Sequence, residues 1–262
     1  MRLFLSCMLL AVFETAGAVV PYTSASLHGQ SNQAALSECA QRSSPRPRNE
    51  HTSLVIVVLG SSTAAGTGPK PIDSAWVWRF TACAHRQNPN VRIINLAVGG
   101  YTTYDIMPSG FTPPAGRPAP KKAHNITKAL TYHPDVLIIN LPSNDAANGY
   151  PVREQLANYA VITAQITDPK TQLFVSTTQP RNFTTPAQLR IQMDMRDSTY
   201  RRFGAHTMDF WTGFANPDGS LKAEYDCGDG IHMNNAGHRI LFERAMAAGV
   251  WIWKSTHSST GR

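Results

Sequence analysis

Residues 54–62 read LVIVVLGSS, and the interpretation of the whole chain starts from this stretch. Six apolar residues, all of them valine, isoleucine or leucine, end at Gly60 and are followed by two serines. A continuous apolar run of this length is typical of a strand buried on both faces in a parallel sheet. Small residues directly after such a strand let the backbone turn sharply and present N–H groups and hydroxyls.

The alternation of apolar runs and helical patterns continues towards the C-terminus. Fully apolar strands separated by helices indicate a parallel sheet covered on both faces. The predicted fold class is α/β, a three-layer α/β/α sandwich with a mostly five-stranded parallel sheet. Beside the strand at 54–59, strands are predicted at 91–98, 135–141, 172–177 and 206–210, and helices at 73–86, 121–132, 153–166, 186–203 and 235–253.

Small or polar residues follow four of these strands, and ligands of such sheets bind beyond the carboxyl ends of the strands. A phosphate loop does not fit, since Gly68 is followed by Pro69 and no Gly-Lys-Ser/Thr is present there. The Gly-x-Gly-x-x-Gly pattern of dinucleotide sites is absent as well. The segments after the strands are Gly60-Ser61-Ser62, Gly99-Gly100-Tyr101, Ser143-Asn144-Asp145 and Thr178-Gln179.

Acyl transfer needs a nucleophile, a base, a carboxylate that orients the base, and donors for an oxyanion. Asp229 stands three residues before His232 in a glycine-bearing loop. This spacing lets the carboxylate hold the imidazole while the other ring nitrogen faces a hydroxyl such as that of Ser62. Gly100 offers an unobstructed backbone N–H, and Asn144 offers a side-chain amide.

Each of these residues also has a simpler interpretation on its own. A serine at the start of a helix, such as Ser62, is commonly an N-cap. Asn144 and Asp145 could cap the helix that follows Pro151. His238 is a rival to His232, but its place near the start of a helix favours a solvated or packing role. The combination of the residues, rather than any one of them, favours acyl transfer.

The four blocks together resemble those of the SGNH (GDSL-type) hydrolases, in the same order. The matching residues are Gly60-Ser61-Ser62, Asn95 to Gly100, Ser143-Asn144-Asp145 and Asp229-x-x-His232, and the resemblance runs from about Leu54 to the closing helix. The resemblance implies the SGNH hydrolase fold with a flavodoxin-like sheet. It also implies that no metal and no organic cofactor takes part.

Residue by residue, the resemblance implies a catalytic triad and an oxyanion hole. Ser62 would be the nucleophile, His232 the general base and then general acid, and Asp229 the residue that orients His232. The backbone N–H of Ser62, the N–H of Gly100 and the amide of Asn144 would form the oxyanion hole.

The chain departs from the family pattern at two positions. Ser61 stands where the family usually has Asp, and Pro142 where the third block usually begins with Gly. The first departure leaves two adjacent serines, so Ser61 is the alternative nucleophile. By location alone, Ser61, Tyr101, Thr178 and Gln179 are candidate substrate-binding residues. A zinc site from Cys227, His232 and His238 lacks a fourth ligand and is not predicted.

The N-terminal residues have the pattern of a secretory signal. Arg2 is followed by the apolar run 3–13 and by Ala16-Gly17-Ala18, so we expect a signal peptide at 1–18, a flexible leader at 19–53, the catalytic domain at 54–255 and a disordered tail at 256–262. After cleavage Cys39, Cys83 and Cys227 remain, an odd number that leaves any pairing open.

Composition narrows the function further. The chain has 262 residues and a formal net charge of +7, but its basic residues are scattered and no nucleic-acid motif is present. The predicted function is an exported serine esterase that hydrolyses short-chain O-acyl esters, with O-acetyl groups on glycans or cell-wall material as one substrate class. The predicted partner is a small ester or acylated glycan, without stable membrane insertion. Two alternatives remain open: a non-catalytic glycan-binding module on the same fold, and an O-acyltransferase with the same triad.

Overall fold

Five parallel strands form the sheet at the centre of the molecule, in the order β2-β1-β3-β4-β5. The computed structural model describes residues 53–141 and 143–250. This order and the all-parallel pairing confirm the predicted fold class. The strands are β1 (Leu54–Gly60), β2 (Val91–Asn95), β3 (Val136–Asn140), β4 (Gln172–Ser176) and β5 (Thr207–Met208).

Helices cover both faces of the sheet. In β1, Ile56 and Val58 point to the core that contains Phe80 and Leu241, whereas Val57 and Leu59 point to the core that contains Ile126 and Ile162. Because both faces are buried, the strand sequence is apolar throughout instead of alternating. The helices are α1 (Ser62–Ala65), α2 (Trp76–Gln87), α3 (Ile126–Leu130), α4 (Asn144–Ala147), α5 (Val152–Thr163), α6 (Pro186–Phe203) and α7 (Asn235–Ala247).

Two predicted boundaries were wrong by several residues for local reasons. Helix α2 begins at Trp76 rather than at Asp73, because Ala75 is extended (φ −72°, ψ 150°) and forms the N-cap. Strand β2 ends at Asn95 rather than at 98. Just after the strand, the side-chain oxygen of Asn95 accepts a hydrogen bond from the N–H of Ala97 at 3.1 Å. The N–H groups of Leu96 and Val98 still donate to the carbonyls of Val58 and Gly60, so the chain stays beside β1 after the regular strand has ended.

The helix predicted at 121–132 is also shorter in the structure. It spans Ile126–Leu130 and begins after Asn125, whose side chain accepts from the N–H of Lys128. The two short helices α1 and α4, which carry Ser62 and Asn144, were not predicted. Their four residues each are too few for a helical repeat to be visible in the sequence.

Several sequence predictions lie outside the described residues: the signal peptide at 1–18, nearly all of the leader at 19–53, the tail at 256–262 and Pro142. Within the described residues, no helix combines the length and the apolar character needed to cross a membrane. Cys83 is disulfide-bonded, and Cys227 is an exposed free thiol.

Candidate active site

Ser62 lies at the carboxyl end of β1, as the first residue of α1. The strand can pass close to β3 here because residue 60 is a glycine. A Cβ at Gly60 would come within 2.6 Å of the carbonyl oxygen of Asn140. The next residue, Ser61, donates its N–H to that same carbonyl at 3.0 Å. The close packing of β1 on β3 thus fixes the position of Ser62 relative to the end of β3.

His232 reaches Ser62 from the loop before α7. Its Nε2 lies 2.9 Å from Oγ of Ser62, and its Nδ1 lies 2.7 Å from Oδ2 of Asp229. The structure therefore brings together the three residues that the sequence analysis assigned to the triad, in one hydrogen-bonded line. A carboxylate at Nδ1 selects the tautomer with its hydrogen on Nδ1, so that Nε2 can accept the hydroxyl proton.

Internal hydrogen bonds hold the loop that carries Asp229 and His232. Oδ1 of Asp229 accepts the N–H groups of Ile231 and His232, each at 2.8 Å. The N–H of Cys227 donates to the carbonyl of His232 at 2.9 Å. The neighbouring Asp226 accepts the N–H groups of residues 228–230 through its side chain. Both carboxylates thus fold the loop around the imidazole.

Electrostatics keep Asp229 ionised at neutral pH. Partial burial raises the pKa of Asp229, but the hydrogen bonds from the side chain and N–H of His232 and from the N–H of Ile231 outweigh this effect. The net result is a pKa lowered to about 2. An ionised carboxylate at this position stabilises an imidazolium at His232 when one forms.

The turn Gly99-Gly100 approaches Ser62 from the end of β2. A Cβ at Gly99 would lie 3.9 Å from Cβ of Ser62, and Gly100 has a positive φ of 83° that favours glycine. Across the site, Nδ2 of Asn144 donates to the carbonyl of Tyr101 at 2.9 Å and to Oγ of Ser61 at 2.7 Å. Asn144 is the first residue of α4, and its side chain holds the turn that contains Gly100. It does not cap the helix after Pro151, as the simpler interpretation had it.

The two adjacent serines have different surroundings. Ser61 is fully buried and its hydroxyl oxygen faces Asn144, whereas Ser62 faces His232. The alternative nucleophile thus lacks contact with the histidine in this structure.

The remaining candidate substrate-binding residues lie around the same edge, but not all of them are open to solvent. Tyr101 is half-buried, with its ring edge-to-face on His124 at 6.1 Å. Thr178 is buried and donates its hydroxyl to the carbonyl of Gln192 at 3.1 Å. Gln179 is also buried.

Gln179 connects the two parts of the site, a role that the sequence did not reveal. Its Oε1 accepts from the hydroxyl of Thr63 at 2.8 Å, next to Ser62 on α1. Its Nε2 donates to the carbonyl of Ile231 at 3.4 Å, next to His232. The side chain therefore ties the helix that carries Ser62 to the loop that carries His232. Only the position of Gln179 after β4 hinted at this contact.

His238 has a packing role away from Ser62. It is fully buried, and its Nδ1 accepts the N–H of Trp76 at 3.2 Å, beneath α2. Burial lowers the pKa of His238 to about 3, so the ring is neutral. Metal-ligating atoms of Asp226, Cys227 and Asp229 do lie within 4.8 Å of one another, but these two carboxylates already accept the backbone hydrogen bonds of the loop.

The buried neutral His238 predicts a specific acid sensitivity. The folded pKa lies below the unfolded value of 6.5, so the unfolded chain takes up a proton first as the pH falls. Stability from this group is fully present above pH 6.5 and is lost towards pH 3, by about 1.4 kcal/mol per pH unit within that window. In His238→Asn, an oxygen can replace Nδ1 as acceptor while the titration disappears.

We expect urea unfolding at pH 7, 6, 5 and 4.5 to give His238→Asn a smaller free energy of unfolding than the wild type at pH 7. This difference between the two proteins should become smaller as the pH falls, because only the wild type loses stability through His238. All other titrating groups are common to both proteins and cancel in the difference. A deficit that stays constant over this range would contradict the neutral, buried state of His238.

A parallel α/β sandwich with a serine, a histidine and an aspartate joined at the carboxyl edge of its sheet has the architecture of serine-type hydrolases. The chain belongs to the GDSL-like lipase/acylhydrolase family, whose model matches residues 58–240. It is therefore a hydrolase of that family. A search among curated proteins found no match.

Solved structures of similar fold include several esterases and lipases. The psychrotrophic esterase EstA from a Pseudoalteromonas species has a TM-score of 0.53 at 18% identity, covering 74% of this chain and 95% of that one. The lipase Lip_vut3 from a goat rumen metagenome has a TM-score of 0.55 at 18% identity, covering 75% and 98%. A two-domain esterase active on acetylated mannans has a TM-score of 0.50 at 16% identity, covering 79% and 51%. At these identities the likeness shows the common fold.

Proposed function

We propose that this protein is an exported serine esterase that hydrolyses short-chain O-acyl esters through Ser62, His232 and Asp229. The observation that carries the proposal is the unbroken hydrogen-bonded line from Oδ2 of Asp229 through the His232 ring to Oγ of Ser62, with distances of 2.7 and 2.9 Å. Family membership supports the reaction class independently of this geometry.

The first half of the reaction forms an acyl-enzyme. His232 takes the proton of Ser62 through Nε2 as Oγ attacks the ester carbonyl carbon, and Asp229 stabilises the imidazolium. The carbonyl oxygen becomes an oxyanion that accepts from the N–H groups of Ser62 and Gly100 and from the amide of Asn144. The tetrahedral intermediate collapses as His232 returns the proton to the leaving alcohol.

The second half releases the acid. His232 removes a proton from water, which attacks the acyl carbon, and the second oxyanion is held by the same three donors. Collapse expels Ser62 as the leaving group, and His232 supplies its proton. All proton transfers and charges are handled by side chains and backbone groups of the chain, so the proposal invokes no metal and no cofactor.

Two sets of observations support the proposed cellular location and the proposed substrate class. The signal-like residues 1–18 and the disulfide at Cys83 favour an oxidising, extracytoplasmic compartment. The fold is similar to that of an esterase active on acetylated mannans, and an exported enzyme meets acylated glycans and cell-wall polymers. The sequence has no long apolar insertion that would cover an extended acyl chain, which favours short chains.

The test is hydrolysis of p-nitrophenyl acetate, butyrate and octanoate by the mature protein. We expect the highest kcat/KM on acetate or butyrate and a fall of at least about tenfold on octanoate, because extra methylenes are unsupported without an apolar channel. A preference for octanoate would contradict the short-chain assignment.

The same assay separates the two alternative functions. A folded protein that hydrolyses none of the three esters and is not labelled by a fluorophosphonate would be a binding module. Transfer of acetyl groups to an added glycan, with donor consumption unchanged, would identify an acyltransferase.

A further inference from the structure

The proposed oxyanion donors come from two separate segments that must be held in register. Gly100 belongs to the turn after β2, and Asn144 belongs to α4 after β3. Two consecutive side chains of α4 hold the first segment. Asn144 binds the carbonyl of Tyr101, and Asp145 binds Thr103 two residues further on.

The contact between Asp145 and Thr103 is a double one. Oδ1 of Asp145 accepts the Thr103 hydroxyl at 2.6 Å, and Oδ2 accepts the Thr103 N–H at 3.0 Å. Nδ2 of Asn158 donates to the same hydroxyl oxygen at 2.8 Å, which directs the hydroxyl hydrogen towards Asp145. Thr103 therefore presents two donors to the carboxylate, and its N–H lies between the two oxygens, 3.2 Å from Oδ1 and 3.0 Å from Oδ2.

Burial makes the ionised form of the Asp145 carboxyl unfavourable. Asp145 is 4% exposed, and burial raises its pKa to about 7, against the opposing hydrogen bonds from Thr103. The titratable groups around it are Asp105, whose charge raises the pKa further, and the hydroxyls of Tyr150 and Tyr159. A neutral side chain of similar shape would avoid the desolvation cost.

We propose that Asp145 is a positioning residue for ester hydrolysis, which holds Thr103 and thereby sets the N–H of Gly100 at the correct distance from the amide of Asn144. The inference rests on the proposed function. Asp145 stabilises the transition state through these two donors and does not contact the substrate. Misplacement of an oxyanion donor by about 1 Å is enough to cost on the order of 10²-fold in rate.

The test is a double-mutant cycle with Asp145→Asn and Asn144→Ala on p-nitrophenyl acetate. Asparagine keeps the shape of Asp145 but offers one acceptor instead of two. We expect Asp145→Asn to lower kcat about 10- to 100-fold, with KM changed by less than about 3-fold. In the Asn144→Ala background the same change should cost only about 3-fold, because one of the two donors that it aligns is already absent.

Thr103 supplies the conservative control and a second route to the answer. Thr103→Ser keeps the hydroxyl and should retain kcat within about 3-fold, whereas Thr103→Val removes it and should approach the loss seen in Asp145→Asn. Should Asp145→Asn not fold, the Thr103 pair carries the test. Rates are referred to active sites titrated with a fluorophosphonate.

Distinct results overturn the inference and the proposed function. If wild type is active and Asp145→Asn has a lower Tm but an unchanged kcat per active site, the role is structural and the inference is wrong. Equal losses in both backgrounds of the cycle also overturn it. A wild type without esterase activity contradicts the proposed function, and the inference with it.

Discussion

Ser62→Ala is expected to lose hydrolysis of p-nitrophenyl acetate by about 10⁴-fold or more, because the variant cannot form an acyl-enzyme. His232→Ala should lose a similar amount, since no other imidazole in the described residues lies at hydrogen-bond distance from Ser62. The two losses should not add in the double variant, because serine and histidine act in the same proton transfer. Steady-state kinetics with circular dichroism as a check of folding measures this.

Two matched variants control for the position and for the residue type. Ser61→Ala is expected to retain activity within about tenfold, because the Ser61 hydroxyl supports the Asn144 amide and does not contact His232. His206→Ala should behave as wild type. His206 lies at the amino end of β5 with its ring against Phe174, whereas Ser62 lies at the carboxyl ends of the strands. Activity that survives in Ser62→Ala and is lost in Ser61→Ala would move the nucleophile by one residue.

Asn144→Ala is expected to lower kcat by about 10²–10³-fold, the cost of removing one donor from an oxyanion hole. Its KM should change little, because the donor acts mainly when charge develops on the oxygen. In the resting structure both hydrogens of Nδ2 are donated, to the carbonyl of Tyr101 and to the hydroxyl of Ser61, so the amide exchanges one of these bonds for the bond to the oxyanion.

Asn90→Ala, an exposed asparagine at the other end of β2, serves as the matched control. It should change neither kcat nor KM by more than about 2-fold, as expected for a surface substitution. If Asn144→Ala raises KM and leaves kcat unchanged, Asn144 binds ground-state substrate and the assignment to the oxyanion hole is wrong.

The fold was predictable because its determinants are local and periodic. Strands β1 and β3 are apolar up to their last residues, Gly60 and Asn140, and this pattern has few interpretations other than a parallel sheet with helices on both faces. Element ends were less predictable. The extended Ala75 before α2 and the side-chain bond of Asn95 at the end of β2 depend on single side-chain and backbone conformations that leave no period in the sequence.

The site was predictable only where its residues follow strands or share a loop. The Asp229-x-x-His232 spacing indicated a carboxylate–imidazole pair, and the structure has that pair beside Ser62. The contacts that support the site were not predictable. Thr63 with Gln179 and Thr103 with Asp145 join residues 116 and 42 positions apart, and no local pattern marks them.

The role of Ser61 also required the structure. From the sequence, serine in place of the usual Asp of the family left two adjacent serines, with Ser61 as the alternative nucleophile. In the fold the Ser61 hydroxyl accepts from Asn144 at 2.7 Å, so the position contributes an acceptor to the site without a charge. The amide geometry is thereby supported by a neutral oxygen.

The most direct test of the account is to label the mature wild-type protein with a fluorophosphonate and to map the adduct by peptide mass spectrometry. The account predicts one adduct per molecule, located on Ser62, formed with loss of esterase activity and absent from His232→Ala. An adduct on Ser61, or a folded and active enzyme that takes up no label, would contradict Ser62 as the nucleophile.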